Sequence, residues 1–237
     1  MERYGLARHV FVCSSGDYVV MLDVRHDRYF ALDKSKAAPL DALVPGWPGR
    51  STSLSGADTD LEPALVSALL QRGMITETPG QGKDATPVRI PPPTTQLVGD
   101  DERTRSTIRL LNIFAFFSAV VTAKIALRFL SFEQVICKVR RRKQSRSNAM
   151  RAMDIERIKQ LVGTFQNLRV FINSSKNQCL YDSLVLLNFL CRYHVFPGWI
   201  FGVQACPFSA HCWVQFDDVV FNDSVEHAGQ YTPIMLV

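Results

Sequence analysis

One stretch of this chain reads as a linker and therefore divides it. From Thr78 to Asp101 the residues are mostly Pro, Gly, Thr and Asp, with Pro91-Pro92-Pro93 at the centre. Proline fixes its own φ and has no backbone N–H to donate, so such a run makes a stiff, extended connection. The sequence thus predicts a first domain over residues 1–78, a Pro-rich linker over 79–103 and a second domain over 104–237. With 237 residues and 47% hydrophobic side chains, the chain has enough apolar material for a core on each side.

Before the linker, three β-type runs open the chain: His9 to Cys13, Tyr18 to Asp23 after the turn Ser14-Ser15-Gly16-Asp17, and Arg28 to Leu32 after Arg25-His26-Asp27. Short apolar runs separated by turn residues predict a meander. A helix is expected over Ser35 to Val44. A second is expected from Asp60, a capping residue, to Arg72, with Leu61, Leu65 and Leu69 on one face and Gly73 ending it. The expected class is α+β, with a winged-helix-like arrangement of a three-stranded sheet and helices.

After the linker a long helical block is predicted from Thr107 to about Lys143. Another is predicted from Asp154 to Ile172, where Ile155, Ile158, Leu161, Val162, Phe165 and Leu168 recur at helical spacing. The two are expected to form a hairpin. Leu110 to Ala123 carries no charge, which is shorter than a bilayer requires, so no membrane span is expected. The last third changes period, with a helix Cys179–Tyr193, strands Gly198–Gln204 and Ala210–Phe216, a turn at Asp217-Asp218 and a strand Val219–Asn222. A helix followed by an antiparallel sheet is the order used by papain-like and transglutaminase-like folds.

That order places three reactive groups in sequence. A cysteine attacks carbonyl carbon as a thiolate, and a helix N-terminus favours the anion through its unpaired N–H groups and dipole. Cys179 occupies such a position, after the polar run Asn173 to Gln178 and before Leu180, Leu184, Leu187 and Leu190. His211 is the candidate base, and alternation puts Trp213 and Gln215 on its face and Cys212 on the other. Asn222 and Asp223 are both candidates for orienting the imidazole. A two-residue turn gives Asn222 the face of His211, a three-residue loop gives it to Asp223, and spacing alone leaves the choice open.

Other chemistries fit less well. Cys191 and His194, with Cys206, His211 and Cys212 close behind, are badly spaced for zinc, because adjacent strand residues point to opposite faces. Neither a metal nor another cofactor is expected. Lys and Arg number 27 against 22 Asp and Glu, a net charge of +5. This is less basic than a dedicated nucleic-acid binder, and no nucleic-acid partner is expected. Six cysteines without a CxxC pair, and a start without an apolar signal stretch, predict reduced thiols and a cytoplasmic location. The basic run from Lys138 to Arg146 is either a solvated helix face or a docking patch.

Cys179-Leu180 followed by Ser183-Leu184, Gly202-Val203, Pro207-Phe208, Ala210-His211-Cys212-Trp213-Val214 and Asn222-Asp223 together resemble the lasso-peptide leader peptidases, the transglutaminase-like B proteins. The resemblance implies Cys179 as nucleophile, His211 as base and Asp223 as acid, and with Asp223 the longer turn. Gln178, Trp213 and Asn222 become candidates for oxyanion and supporting roles. Cys212 stands where the family commonly has Ala, and only a packing change is expected from it. Gly16 to Asp23 and Asp27 to Leu32 resemble the precursor-recognition element similar to the pyrroloquinoline-quinone chaperone.

In such an element a leader peptide adds as a strand to the sheet edge beside a helix. Arg28, Tyr29, Phe30, Leu32, Leu61, Leu65 and Leu69 are the contacts implied here. The implied partners are a lasso-peptide precursor, through its leader, and an ATP-dependent, asparagine-synthetase-like cyclase. The implied reaction is hydrolysis of the leader–core bond. A thiol acyltransferase of transglutaminase type and a non-catalytic leader-binding adaptor are the alternatives.

Overall fold

The computed structural model describes residues 4–49, 61–77, 80–97, 109–144, 155–172 and 179–237. It has the expected mixed α+β composition. Chain contacts divide it into two compact units. The first comprises Met1–Arg89 with Gly202–Ala210 and Thr232–Met235, the second Ile90–Phe201 with His211–Tyr231 and Leu236–Val237.

In the first unit β1 (Gly5–Ala7) precedes the expected meander of β2 (Val10–Ser15), β3 (Tyr18–Asp23) and β4 (Arg28–Asp33). Val12 pairs with Met21, and Met21 with Phe30. Gly16 and Asp27 take the positive φ that the two tight turns require. The helix expected over Ser35–Val44 is two short pieces, α1 (Lys34–Ala37) and α2 (Leu40–Leu43), because Pro39 interrupts it. Asp33 caps the first, its carboxylate accepting from the Ser35 N–H at 2.9 Å.

Next come α3 (Leu61–Gln71), β5 (Ile75–Thr76) and β6 (Gly82–Lys83). Asp60, the expected cap of α3, lies outside the described residues. Both β5 and β6 pair with β1 in a second small sheet, which segments of two or three residues could not announce by any period. Gly5 and Gly82 cross so closely that a Cβ on Gly82 would lie 2.6 Å from the Gly5 Cα. Val10, Val12, Val19, Met21, Leu40, Trp47, Leu69 and Met74 form the core, and β4 is an edge of its sheet.

The second unit holds β7 (Thr95–Gln96), α4 (Leu110–Phe129), α5 (Phe132–Gln144), α6 (Ile155–Arg169), α7 (Cys179–Cys191), β8 (Gly198–Gln204), β9 (Ser209–Phe216), β10 (Val219–Val220), α8 (Val225–Ala228) and β11 (Thr232–Leu236) in whole or in part. The sheet order is β11-β8-β9-β10-β7. It is not wholly antiparallel, since β7 runs parallel to β10 with Val219 opposite Thr95. The expected linker over 79–103 is therefore structured in part. Its Gly82–Lys83 belongs to one sheet and its Thr95–Gln96 to another, because backbone groups between the prolines still find ladder partners.

The helical block expected from Thr107, which lies outside the described residues, to about Lys143 consists of two helices, the first ending at Phe129 and the second starting at Phe132. Ser131 and Gln134 form a reciprocal cap there, Ser131 N–H donating to Gln134 Oε1 at 2.9 Å and Gln134 N–H to Ser131 Oγ at 3.3 Å. The expected pairing of the two helical blocks as a hairpin also gives way, since α4 packs chiefly on α7. Phe116, Phe165 and Phe189 join α4, α6 and α7, with ring centroids 5.6 and 5.8 Å apart. Ile155, expected on the buried face of α6, is 42% exposed at its start.

Helix α4 is apolar beyond Ala123, and its 20 residues are long and apolar enough to cross a membrane by length and composition. Phe116, Ala119, Ala123 and Ala126 are buried in the unit, while Leu110, Phe114, Val121 and Phe129 on the far face are exposed. The basic run is partly spent inside its own unit. Arg142 donates to Asn188 Oδ1 at 2.6 Å and Lys143 to the Val237 carbonyl at 3.2 Å. Phe165→Ala is expected to cost about 3–5 kcal/mol, the penalty of a large core cavity, and urea unfolding monitored by tryptophan fluorescence measures it.

Candidate functional site

Helix α7 is apolar on nearly every side, and its three polar residues are each buried and each tied to a different neighbour. Asp182 pairs with Arg169 of α6, and Asn188 accepts from Arg142 of α5. Ser183 donates to the Cys212 carbonyl of β9 at 3.3 Å and accepts from Asn222 Nδ2 at 3.0 Å. These bonds fix how far the helix slides and rotates. Its first residue, Cys179, is thereby presented at the start of a packed helix, half-buried and outside any disulfide.

Strand β9 brings His211 to that sulfur. The two side chains hydrogen-bond, and on the other side His211 Nε2 lies 2.5 Å from Asp223 Oδ2. Burial pulls the imidazole toward neutrality, but the bonds to Asp223 and Cys179 outweigh it and raise His211 to about 9. Cys179 falls to about 4. The largest cause is a hydrogen bond from the Cys212 thiol, opposed by burial and followed by the bond to His211 and one from the Cys212 N–H. Burial raises Asp223, yet its bond with His211 leads a set that holds it below the usual carboxylate value. Between about pH 4 and 9 the stable arrangement is thiolate, imidazolium and carboxylate.

Parity gives way here for a structural reason. Val219 pairs with Phe216 and Val220 with Gln215, so Asp217-Asp218 is a two-residue turn and the longer loop implied by resemblance is absent. Asp217 takes φ +50°. Asp223 still reaches His211, because β10 ends at Val220 and the following residues leave the pleat. Asn222 meanwhile accepts from the Val214 N–H at 2.8 Å and donates to Ser183, which makes it a tie between β9 and α7.

Cys212 departs from expectation too. It does face away from His211, against Ser183, and is buried. However, the Cys179 sulfur lies beside the backbone of β9, where both the Cys212 N–H and thiol reach it. Burial and the neighbouring thiolate push the Cys212 thiol well above its ordinary value, so it stays protonated as a donor. Trp213 is buried and stacks on His211 at 6.0 Å and 18°, its Nε1 donating to Gln215. Gln178, the other oxyanion candidate, lies outside the described residues.

Sequence reasoning missed His227 and Tyr231. The His227 ring stands edge-on to His211 at 4.5 Å, and Tyr231 lies 5.1 Å from it. The available signal is Ser224, a helix-capping residue, which starts α8 and puts Asp223 and His227 four residues apart on one side. Among the described residues His211, Asp223 and His227 are the one group of three metal-type donors, and direct hydrogen bonds within the group account for their closeness. Cys191, His194 and Cys206 are not part of it.

Of the implied leader contacts, Arg28, Tyr29, Phe30 and Leu32 lie on the edge strand β4. Phe30 and Leu32 lean on the core, with the Arg72 guanidinium 5.4 Å from the Phe30 ring. Tyr29 sits 5.5 Å from Phe208. Leu65 is half-buried, while Leu69 is a core residue, so it has no free face for a ligand. The Leu61 side chain lies outside the described residues.

Cys179 is expected to react with iodoacetamide at pH 5–6, where a thiol of ordinary pKa near 8.5 is largely protonated. Asp223→Ala weakens the imidazolium, so the pH at half-maximal thiolate rises from about 4; alkylation at pH 5 slows by about twofold when that midpoint reaches about 5 and by about tenfold for each further pH unit it climbs. Absorbance at 240 nm, compared with Cys179→Ala, reports the same titration.

Residues 119–236 match the family model of the transglutaminase-like superfamily. No curated protein and no solved structure matches the chain. The superfamily usually carries cysteine-protease or acyltransferase activity, with which the thiolate, imidazolium and carboxylate of this site agree. Residues 119–236 of this chain, from the middle of α4 to the last strand, therefore constitute a transglutaminase-like domain.

Proposed function

We propose that this chain is a cysteine endopeptidase that captures the leader of a ribosomally made lasso-peptide precursor and hydrolyses the bond between leader and core. The observation that carries the peptidase reading is the Cys179 thiolate, held to about 4 beside a His211 raised to about 9 and a carboxylate at 2.5 Å. The precursor is drawn from the resemblance of the residues around Cys179 and His211. Leader capture is supported by β4, which forms an outer edge of its sheet in the first unit.

In this reading the Cys179 thiolate attacks the carbonyl carbon of the scissile bond, and the oxyanion is met by the unpaired N–H groups of the first turn of α7, with Gln178 as a second donor. His211 gives its proton to the leaving nitrogen as the C–N bond breaks, which frees the core amine and leaves a thioester. Neutral His211 then takes a proton from water, whose oxygen attacks the thioester. The C–S bond breaks, the leader leaves as a carboxylic acid, and the ion pair is restored. No step draws on a metal or nucleotide. The freed amine is the group that an ATP-dependent, asparagine-synthetase-like cyclase would join to a side-chain carboxylate of the core.

Incubating the chain with the precursor and weighing the products tests this. The expected products are a leader with a free carboxylate and a core with a free amine, and neither forms with Cys179→Ala. A leader carrying an added amine would instead identify an acyltransferase. Maturation that proceeds normally with Cys179→Ala would leave only a binding role. A leader peptide lacking the scissile bond is expected to inhibit competitively, raising KM for the full precursor and leaving kcat unchanged, as initial-rate measurements would show.

A further inference from the structure

The Asp223 carboxylate has more partners than holding one imidazole requires. Oδ2 meets His211 Nε2 at 2.5 Å, and Oδ1 accepts from the Ser224 N–H at 2.9 Å. His227 Nδ1 lies 3.0 Å from each of the two oxygens. An ionised carboxylate only accepts, so the His227 proton involved is on Nδ1. His227 is itself anchored, its backbone N–H donating to the Ser224 side chain at 3.0 Å at the head of α8. Its ring is nearly perpendicular to that of Tyr231, 5.4 Å away.

The torsion about a carboxylate's last bond is broad and roughly two-fold, so one partner leaves the plane of the group poorly defined. A donor shared between both oxygens defines it. Of the two histidines, His211 faces the sulfur and His227 does not enter its hydrogen bonds. The groups titrating around His211 are Cys179 on α7, Cys212 beside it on β9, Asp223, His227 on α8 and Tyr231 after it.

We propose that His227 is a positioning residue: through Nδ1–H it fixes the plane of the Asp223 carboxylate, and so the alignment with which Asp223 holds His211 toward Cys179. This rests on the reading of Cys179, His211 and Asp223 as the reacting set. Without His227 the carboxylate turns, the imidazolium loses part of its stabilisation, and the ion pair survives over a narrower range of pH.

The test is the pH dependence of Cys179 alkylation by iodoacetamide, which needs no peptide substrate. In the unmodified chain two inflections are expected, where the thiolate forms and where the imidazolium loses its proton. His227→Ala is expected to lower the upper inflection by about one pH unit, and to lower kcat for precursor cleavage about tenfold with KM within a factor of about two. His227→Asn, whose amide N–H falls near the Nδ1 position, is expected to restore most of both. His227→Gln, which places its N–H further out but fills more space, is expected to behave like Ala.

A filler of space would give the opposite ranking, Gln at or above Asn, and that result overturns the proposal. So does an unchanged upper inflection in His227→Ala. Should His227→Ala fail to fold, as judged by urea unfolding, the Asn and Gln variants decide alone. A normal alkylation profile without precursor cleavage would remove the peptidase reading and leave the role of His227 standing.

Discussion

A thiolate of low proton affinity inside a protein depends on fixed donors, and here the dependence runs outward from one sulfur. Cys179 receives hydrogen bonds from the Cys212 thiol, the Cys212 backbone and His211. The first two come from one strand residue, so helix and strand must meet at hydrogen-bonding distance and in one register. The three buried polar residues of α7 supply that register. Each would cost free energy if left unbonded, so Asp182, Ser183 and Asn188 penalise any slide or rotation that packing of leucine and phenylalanine alone would tolerate. Asn222 extends the same device to the segment carrying Asp223.

Much of this is legible in the sequence because it rests on local rules. A cysteine at the junction of a polar run and an apolar helix, and a histidine in an alternating strand, are readable from periodicity, and both stand where expected. What is not legible depends on where elements stop. The parity argument between Asn222 and Asp223 assumes a strand continuing to Asn222, but β10 ends at Val220. The turn is short, and the acid of the longer-turn alternative still reaches His211. Alternation turns Cys212 from His211, yet that rule says nothing about a sulfur lying alongside the backbone.

The remaining differences lie in the short strands and in the ends of α4. Strands β1, β5, β6 and β7 are two or three residues long and are held by partners distant in sequence, so no local pattern marks them, and a proline-rich stretch reads as a connection only. The break between α4 and α5 does carry a signal, the Ser131 and Gln134 cap, hidden within a run of otherwise good helix formers. The apolar length of α4 exceeds what the sequence suggests because Lys124 and Arg128 near its end look like a boundary, whereas long basic side chains tolerate an apolar helix face.

The two-residue turn at Asp217-Asp218 has a consequence for how such a site can be assembled and transplanted. It places His211, its carboxylate and His227 on one unbroken stretch of chain, with only 12 residues from the imidazole to the acid. Closing so short a loop costs little entropy, whereas Ser183 must find Cys212 across 29 positions. The base and its acid therefore form a cassette that a hairpin can preassemble, and the nucleophile is delivered to it by the docking of a separate helix.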